Sequence, residues 1–197
     1  MKRILALTVA LALMLAATGA AWAQLARGLE LFERGEFGAS AEVLAPLAKS
    51  GDATAQYVLG VMYLNAMVEA PSGTAALELL TSSGTAGLDK AQVELARMYR
   101  EGHGVEQDFS KSFQWSMKAA EGGDVGAQLQ VADYFAFGHG TGRDAVEAYK
   151  WYEIAGLYWG SLAVNARDFV AQSMSADQIA VAKERAQSWI KARADKK

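Results

Sequence analysis

Thirty-six residues after Gly51, Ala55, Gln56, Leu59, Met62 and Tyr63, the series Gly87, Ala91, Gln92, Leu95, Met98 and Tyr99 appears. A third copy follows at the same distance as Gly123, Ala127, Gln128, Val131 and Phe135. The second half of the period repeats as well. Gly102, His103, Gly104, Asp108, Trp115 and Ala119 return as Gly138, His139, Gly140, Asp144, Trp151 and Ala155. A period of about 20–50 residues marks a chain of like supersecondary units, each too small to bury its own apolar face alone.

Each unit reads as two helices. Ala55, Leu59 and Met62, flanked by Val58 and Tyr63, follow the i, i+4, i+7 spacing of one helical face. Asp52 and Asp124 stand where an N-cap belongs, with a carboxylate for the first free amides of helix A. Gly102 and Gly138 close helix A in a left-handed C′ position, and Gly104 and Gly140 continue the turn. Asp108 and Asp144 precede the next apolar run and read as N-caps of helix B. Trp115 and Trp151, with Ala119, Ala120 and Ala155, supply one helix seam. No segment alternates like a half-buried strand, so the expected class is all-α.

The first repeat breaks the turn. Ala66-Met67-Val68 replaces Gly-His-Gly, and Ala70-Pro71-Ser72-Gly73 follows. Ala and Val tolerate the left-handed region poorly, so this loop is expected to be rewired around Pro71, with Ser72 as the N-cap. At the far end, Ser175 with Gln178 predicts a capping box. It opens a closing helix whose buried face is Ile179, Ala182, Ala186 and Trp189 or Ile190. Pairs are expected at residues 24–50, 51–86, 87–122, 123–158 and 159–197.

The chain starts with Met1-Lys2-Arg3, an apolar run from Ile4 to Ala17 broken by Thr8, and Ala21-Trp22-Ala23 before Gln24. That is the layout of a secretory leader cleaved after Ala23, which predicts a periplasmic or secreted protein without membrane insertion after removal. Residues 24–197 would form a single repeat domain of 174 residues. Loss of Lys2 and Arg3 leaves 17 basic against 22 acidic residues, a net charge of −5. Such a balance argues against nucleic acid as a partner. With no cysteine in the chain, packing alone must hold the fold.

The run from Ala91 to Gly123, A-Q-x-x-L-x-x-M-Y…G-x-G-V-x-x-D…W-x-x-x-A-A-x-x-G, resembles the Sel1-like repeats, relatives of the tetratricopeptide repeats. The resemblance runs strongly from about residue 36 to 160 and more loosely beyond. It implies an α-solenoid of about five antiparallel helix pairs in a right-handed superhelix. It also implies a scaffold that binds a protein partner, and for exported bacterial members an adaptor in the cell envelope.

Three chemistries compete. His103 and His139, the two histidines, could meet at one metal ion if adjacent units stack about 10 Å apart. A tight site needs further ligands, and only Glu101, Glu106 and Asp108 are near in sequence; a solvated turn is the simpler reading, and no cofactor is expected. Some relatives have been linked to β-lactams, but the one Ser-x-x-Lys here, Ser188 to Lys191, lies inside the closing helix. It lacks the partner motifs of a cell-wall enzyme, so catalysis is not expected. A binding surface is the third. Positions of helix A that change between units are Val58, Val61 and Asn65, then Glu94, Arg97 and Glu101, then Gln130, Asp133 and Phe137. They fall at i, i+3, i+7 and would tile one face for a partner. Of Tyr134, Tyr149, Tyr152, Tyr158 and Trp159, most should be core, and any left exposed would be an anchor.

Overall fold

A computed structural model describes residues 19–195. The apolar run from Ile4 to Ala17 on which the leader reading rests lies outside them, whereas Gly19 to Ala23 of the leader are described. Ten helices and no strand occur among the described residues. They are α1 (19–33), α2 (Phe37–Lys49), α3 (Ala53–Leu64), α4 (Ala75–Thr85) and α5 (Asp89–Glu101). Then come α6 (Phe109–Gly122), α7 (Val125–Phe137), α8 (Ala145–Trp159), α9 (Ser161–Ala171) and α10 (Ala176–Ala194). The helices group into two compact units, one ending at Leu88 and the other starting at Asp89.

In the first unit, α2 packs on α1 and α3, and α4 packs on α3. Gly28 lets α2 come close: a Cβ there would lie 2.4 Å from Leu44. The buried Ser40 hydroxyl donates to the Gly28 carbonyl at 2.8 Å, which satisfies it without water. Leu25, Leu44, Leu47, Leu59 and Met62 form the core. Ser83 of α4 donates to the Ala53 carbonyl at 2.7 Å and fixes the second seam.

In the second unit α5 to α8 pack in sequence. Val131, Trp151, Tyr152 and Ile154 join Ala119, Ala120, Ala148 and Ala186 in one core. The Ser112 hydroxyl lies 2.6 Å from both the Ala96 carbonyl and the Tyr134 hydroxyl, so one small side chain links α5, α6 and α7.

The capping pattern expected from the sequence is present. Asp52 accepts from the Ala55 amide at 2.8 Å and Asp124 from the Ala127 amide at 2.7 Å. Asp108 accepts from Lys111, and Asp144 from Val146 and Glu147. Each such cap contributes about 1 kcal/mol. Gly102 and Gly138 are left-handed, at φ 73° and 76°. The repeated glutamine also has a structural task. Gln56 donates to the Ala48 carbonyl and Gln128 to the Ala120 carbonyl, tying the start of helix A to the preceding helix B.

The first turn corrects two expectations. Ala66 adopts φ 51°, the left-handed state that glycine takes in the sister turns. The Met67 amide bonds the Met62 carbonyl, as His103 does with Met98 and His139 with Tyr134. The rewiring therefore begins only after Met67. Ser72 does not cap. Helix α4 starts at Ala75 with Thr74 in the N-cap position, in helical geometry (φ −98°, ψ −9°) and without a side-chain cap bond. A residue already turned into the helix cannot aim its side chain at the next amides, so the Thr74 hydroxyl donates to Glu78 instead, at 2.6 Å.

The Ser175–Gln178 capping box is formed, and Ala182 and Ala186 are buried. Beyond α8 the packing changes character. Gly160 (φ 53°) joins α8 to α9, and α10 packs chiefly against α8 and not as a tight hairpin with α9. Helix α9 consequently buries one residue, Ala163, and leaves Leu162 and Phe169 exposed.

Candidate functional site

The proposed surface stripe divides into unlike parts. Val58 is not on a surface. It is 6% exposed and packs in the core with Leu44 and Leu59. Its position lies beside the buried face of helix A, so an apolar side chain sinks there. Glu94, the equivalent residue of the next repeat, is 17% exposed at its side chain and is held by Arg97. Val61 is half-buried, and exposed Asn65 donates back to the Val61 carbonyl of its own helix.

On α5 the charges engage one another. Arg97 bonds Glu94 through Nε and Nη2, and Glu101 through Nη1 at 3.1 Å, while Arg100 meets Glu101 at 2.7 Å. The bond to Glu94 holds the Arg97 guanidinium above its usual range. Arg100 first, then Arg97, hold the Glu101 carboxyl below the usual carboxylate range. The Arg97–Glu94 pair is part-buried and the two bonds to Glu101 are exposed, and exposed pairs of this kind stabilise little.

On α7, Gln130 donates to the Tyr134 hydroxyl at 2.8 Å, and Asp133 accepts from Tyr152 at 2.6 Å. Asp133 keeps an exposed edge, yet desolvation by the atoms around it pushes its carboxyl above the usual range. The Tyr152 hydroxyl and His139 act in the opposite direction. The Tyr152 phenol is itself pushed up, by burial and then by the Asp133 carboxylate. Because the folded chain holds the Asp133 proton more tightly than the unfolded chain, this group's contribution falls as pH rises from about 4 through the raised value. Asp133→Asn keeps an acceptor for Tyr152 and removes the titration. The variant's Tm relative to the parent should therefore increase from pH 4 to pH 7. A relative Tm that falls across that range would reject the assignment.

Phe137, the last of the stripe, is 52% exposed and opens onto a groove of about 660 Å3. Phe135, Ala136 and Phe137 come from α7, Arg143 and Ala145 from the following turn and the start of α8, and Tyr152 from α8. Ala166, Phe169 and Val170 of α9, with Gln172 and Ser173 beyond it, form the opposite wall. The volume falls in the ~300–1,000 Å3 range of ligand pockets. The stripe thus contributes Phe137 to a concave site directly and Asp133 through Tyr152. Arg143 and the α9 wall were missed. Comparing the turns as well as helix A would have flagged Arg143, whose position holds Gln107 and Pro71 in the other repeats.

His139 lies beside two aromatic rings, with centroids 5.8 Å from Phe109 and 6.0 Å from Phe137. Among the described residues no group of three or more His, Asp or Glu side chains is arranged to hold a metal ion. Tyr134, Tyr149 and Tyr152 are buried, whereas Tyr158 and Trp159 are 68% and 45% exposed. The Trp159 indole donates to the Val125 carbonyl at 3.2 Å. Ser188 and Lys191 are exposed on α10. No helix among the described residues is long and apolar enough to cross a membrane.

Repeated, capped helix pairs carrying a concave apolar site define an α-helical repeat protein. Sel1 repeats match residues 53–88, 89–124 and 125–157, more than half of the 197 residues, and the chain belongs to the Sel1 repeat family. Sel1 repeat proteins generally mediate protein–protein interaction and are generally non-catalytic scaffolds. The similar solved structures include two that bear on this chain. One is a protective antigen present in uropathogenic Escherichia coli strains and displaying an SLR fold, at 28% identity and TM-score 0.70. That likeness covers 89% of this chain, which spans only 39% of the antigen. The other is a Sel1 repeat protein from Oxalobacter formigenes, at 34% identity and TM-score 0.56, covering 64% of this chain and 95% of that protein. No curated protein matches the chain.

Proposed function

We propose that this chain is an exported, non-catalytic scaffold that binds a protein partner in the cell envelope through the groove of its second unit. The observation that carries the reading is the groove between α7, α8 and α9, with Phe137 and Phe169 exposed at 52% and 66% on its walls. Large aromatic side chains left in water beside a concave apolar site are the usual anchors of a protein interface. The family's general role as an interaction scaffold supports the same reading. Export rests on the leader pattern of residues 1–23. Cleavage after Ala23 would keep Leu25, Leu29 and Phe32, which pack into or against the core of the first unit.

The test is crosslinking and co-purification from envelope fractions with a C-terminally tagged chain, comparing the parent with a Phe137→Asp, Phe169→Asp variant. One protein should be recovered stoichiometrically with the parent and lost with the variant, at unchanged Tm. Mass spectrometry of the recovered chain should find Gln24 at its N-terminus. Equal recovery by both forms would remove the groove from the reading, and a chain retaining Met1 in the cytoplasm would remove export.

A further inference from the structure

Arg143 performs a task that its sister residue performs without a charge. In the α5–α6 turn, Gln107 reaches back seven residues and donates through Nε2 to the Arg100 carbonyl at 2.7 Å. In the α7–α8 turn, Arg143 occupies the equivalent position and donates through Nε to the equivalent carbonyl, that of Ala136, at 3.1 Å. Both side chains cross the left-handed glycine that closes helix A. A Cβ on Gly102 would come 3.6 Å from the Gln107 Cβ, and one on Gly138 would come 2.8 Å from the Arg143 Cγ. The clamp therefore requires one N–H donor, which glutamine supplies. Arginine adds a positive charge and two terminal nitrogens that the clamp does not use.

Among the described residues that line the groove, those nitrogens belong to the only charged side chain, in a chain whose net charge is −3. Two acids of the adjoining elements already have partners. Asp133 accepts from Tyr152, and Asp144 caps α8 through the amides of Val146 and Glu147. With its stem fixed over Gly138 and its Nε bonded, the guanidinium is ordered before any ligand arrives, which lowers the entropy cost of a fork-shaped contact.

We infer that the groove takes a peptide segment in which a carboxylate adjoins a bulky apolar side chain, with Arg143 reading the carboxylate and the Phe137–Phe169 walls taking the apolar group. This rests on the scaffold reading above and narrows it to one chemistry. The carboxylate is that of an Asp or Glu side chain or of a chain terminus. Apolar walls around a single cation suit such a segment better than an inorganic anion or a nucleic acid, which call for several cations.

The probe is a library of short random peptides, displayed with free or blocked C-termini and selected on the immobilised residue 24–197 chain. Selected peptides are then titrated against the parent, Arg143→Gln and Phe169→Ser by fluorescence anisotropy. Arg143→Gln retains the clamp as Gln107 builds it, so its Tm should equal the parent's. Its affinity should fall about tenfold or more, the usual loss for a hydrogen bond to a charged group. Amidation of the peptide carboxylate should weaken the parent equally and leave Arg143→Gln unaffected. Side-chain and terminal carboxylates are separated by the free and blocked pools. Selected peptides without a carboxylate, or unchanged affinity for Arg143→Gln, overturn the inference. If those peptides still lose binding to Phe169→Ser, the scaffold reading survives it. Failure to select any peptide overturns the peptide-binding groove altogether.

Discussion

Gly140→Ala should unfold the second unit at a denaturant concentration far below that of any other alanine substitution in the same turn. Gly140 is left-handed at φ 69°, and an L-residue there costs about 1–2 kcal/mol from backbone strain alone. Space adds a larger cost. The new Cβ would lie 2.0 Å from the Phe109 carbonyl oxygen and 2.7 Å from the Ser110 nitrogen. These are backbone atoms of the first turn of α6, already fixed by the Asp108 cap, and they cannot swing aside as a side chain can. Relief requires the α7–α8 turn to lift away from α6, with loss of the His139–Phe109 ring contact. The total should exceed about 4 kcal/mol, which is exceptional for one methyl group.

Two neighbours calibrate the effect. Gly138 is also left-handed, but the one close approach of its Cβ would be to the Arg143 side chain at 2.8 Å, with backbone atoms at an ordinary 3.6 Å. Gly138→Ala should therefore cost about 1–2 kcal/mol of backbone strain and about 1 kcal/mol more for the displaced Arg143 clamp. Gly142 has open space, and Gly142→Ala should stay within about 0.5 kcal/mol of the parent. Urea unfolding of the three variants checks the order. Equal costs at Gly138 and Gly140 would mean that the turn does not rest on α6.

That contrast separates what the sequence could disclose from what it could not. Caps and helix ends are local chemistry. An aspartate before an apolar run or a glycine after one acts through atoms within four residues, so Asp52, Asp108, Asp124, Asp144, Gly102 and Gly138 were all readable. Gly140 repeats Gly104 letter for letter, yet its contact with Phe109 is made 31 residues away in the chain and depends on how α6 and α7 stack. Val58 was misread for the same reason. Its helical spacing is equally compatible with the edge of a core or with a surface, and the neighbouring Leu44 decides. The Ala66 turn was misjudged in the other direction. The bond between Met67 and Met62 sustains a backbone state that alanine disfavours by only about 1–2 kcal/mol. The groove was the least legible feature. It exists because α10 packs on α8, leaving one side of α9 uncovered, and no periodicity in α9 or α10 encodes that choice.

Trp151→Ala should produce the second-largest loss, about 3–5 kcal/mol, and Trp115→Ala, at the equivalent place in the preceding repeat, substantially less. Trp151 is 1% exposed, whereas Trp115 is half-buried with the Lys118 ammonium 4.1 Å from its ring centroid. The difference is the closing helix. Trp189 of α10 meets the Trp151 ring edge-on at 5.8 Å, so a cavity at Trp151 removes support from α10 as well as from α8. Trp151→Phe isolates the packing component. The Trp151 indole nitrogen is buried without a hydrogen-bond partner among the described residues, a condition that costs about 1–3 kcal/mol. Phenylalanine removes that burden while leaving a smaller void, so its net cost should be about 1 kcal/mol or less. Thermal unfolding followed by tryptophan fluorescence and by far-UV circular dichroism reads both effects. For Trp151→Ala the expected result is loss of the α10 contribution to helicity at a lower temperature than the rest of the second unit. If Trp151→Phe proves as damaging as Trp151→Ala, the indole nitrogen has a partner, such as a bound water, and the closing helix is held by a polar contact as well as by the ring packing.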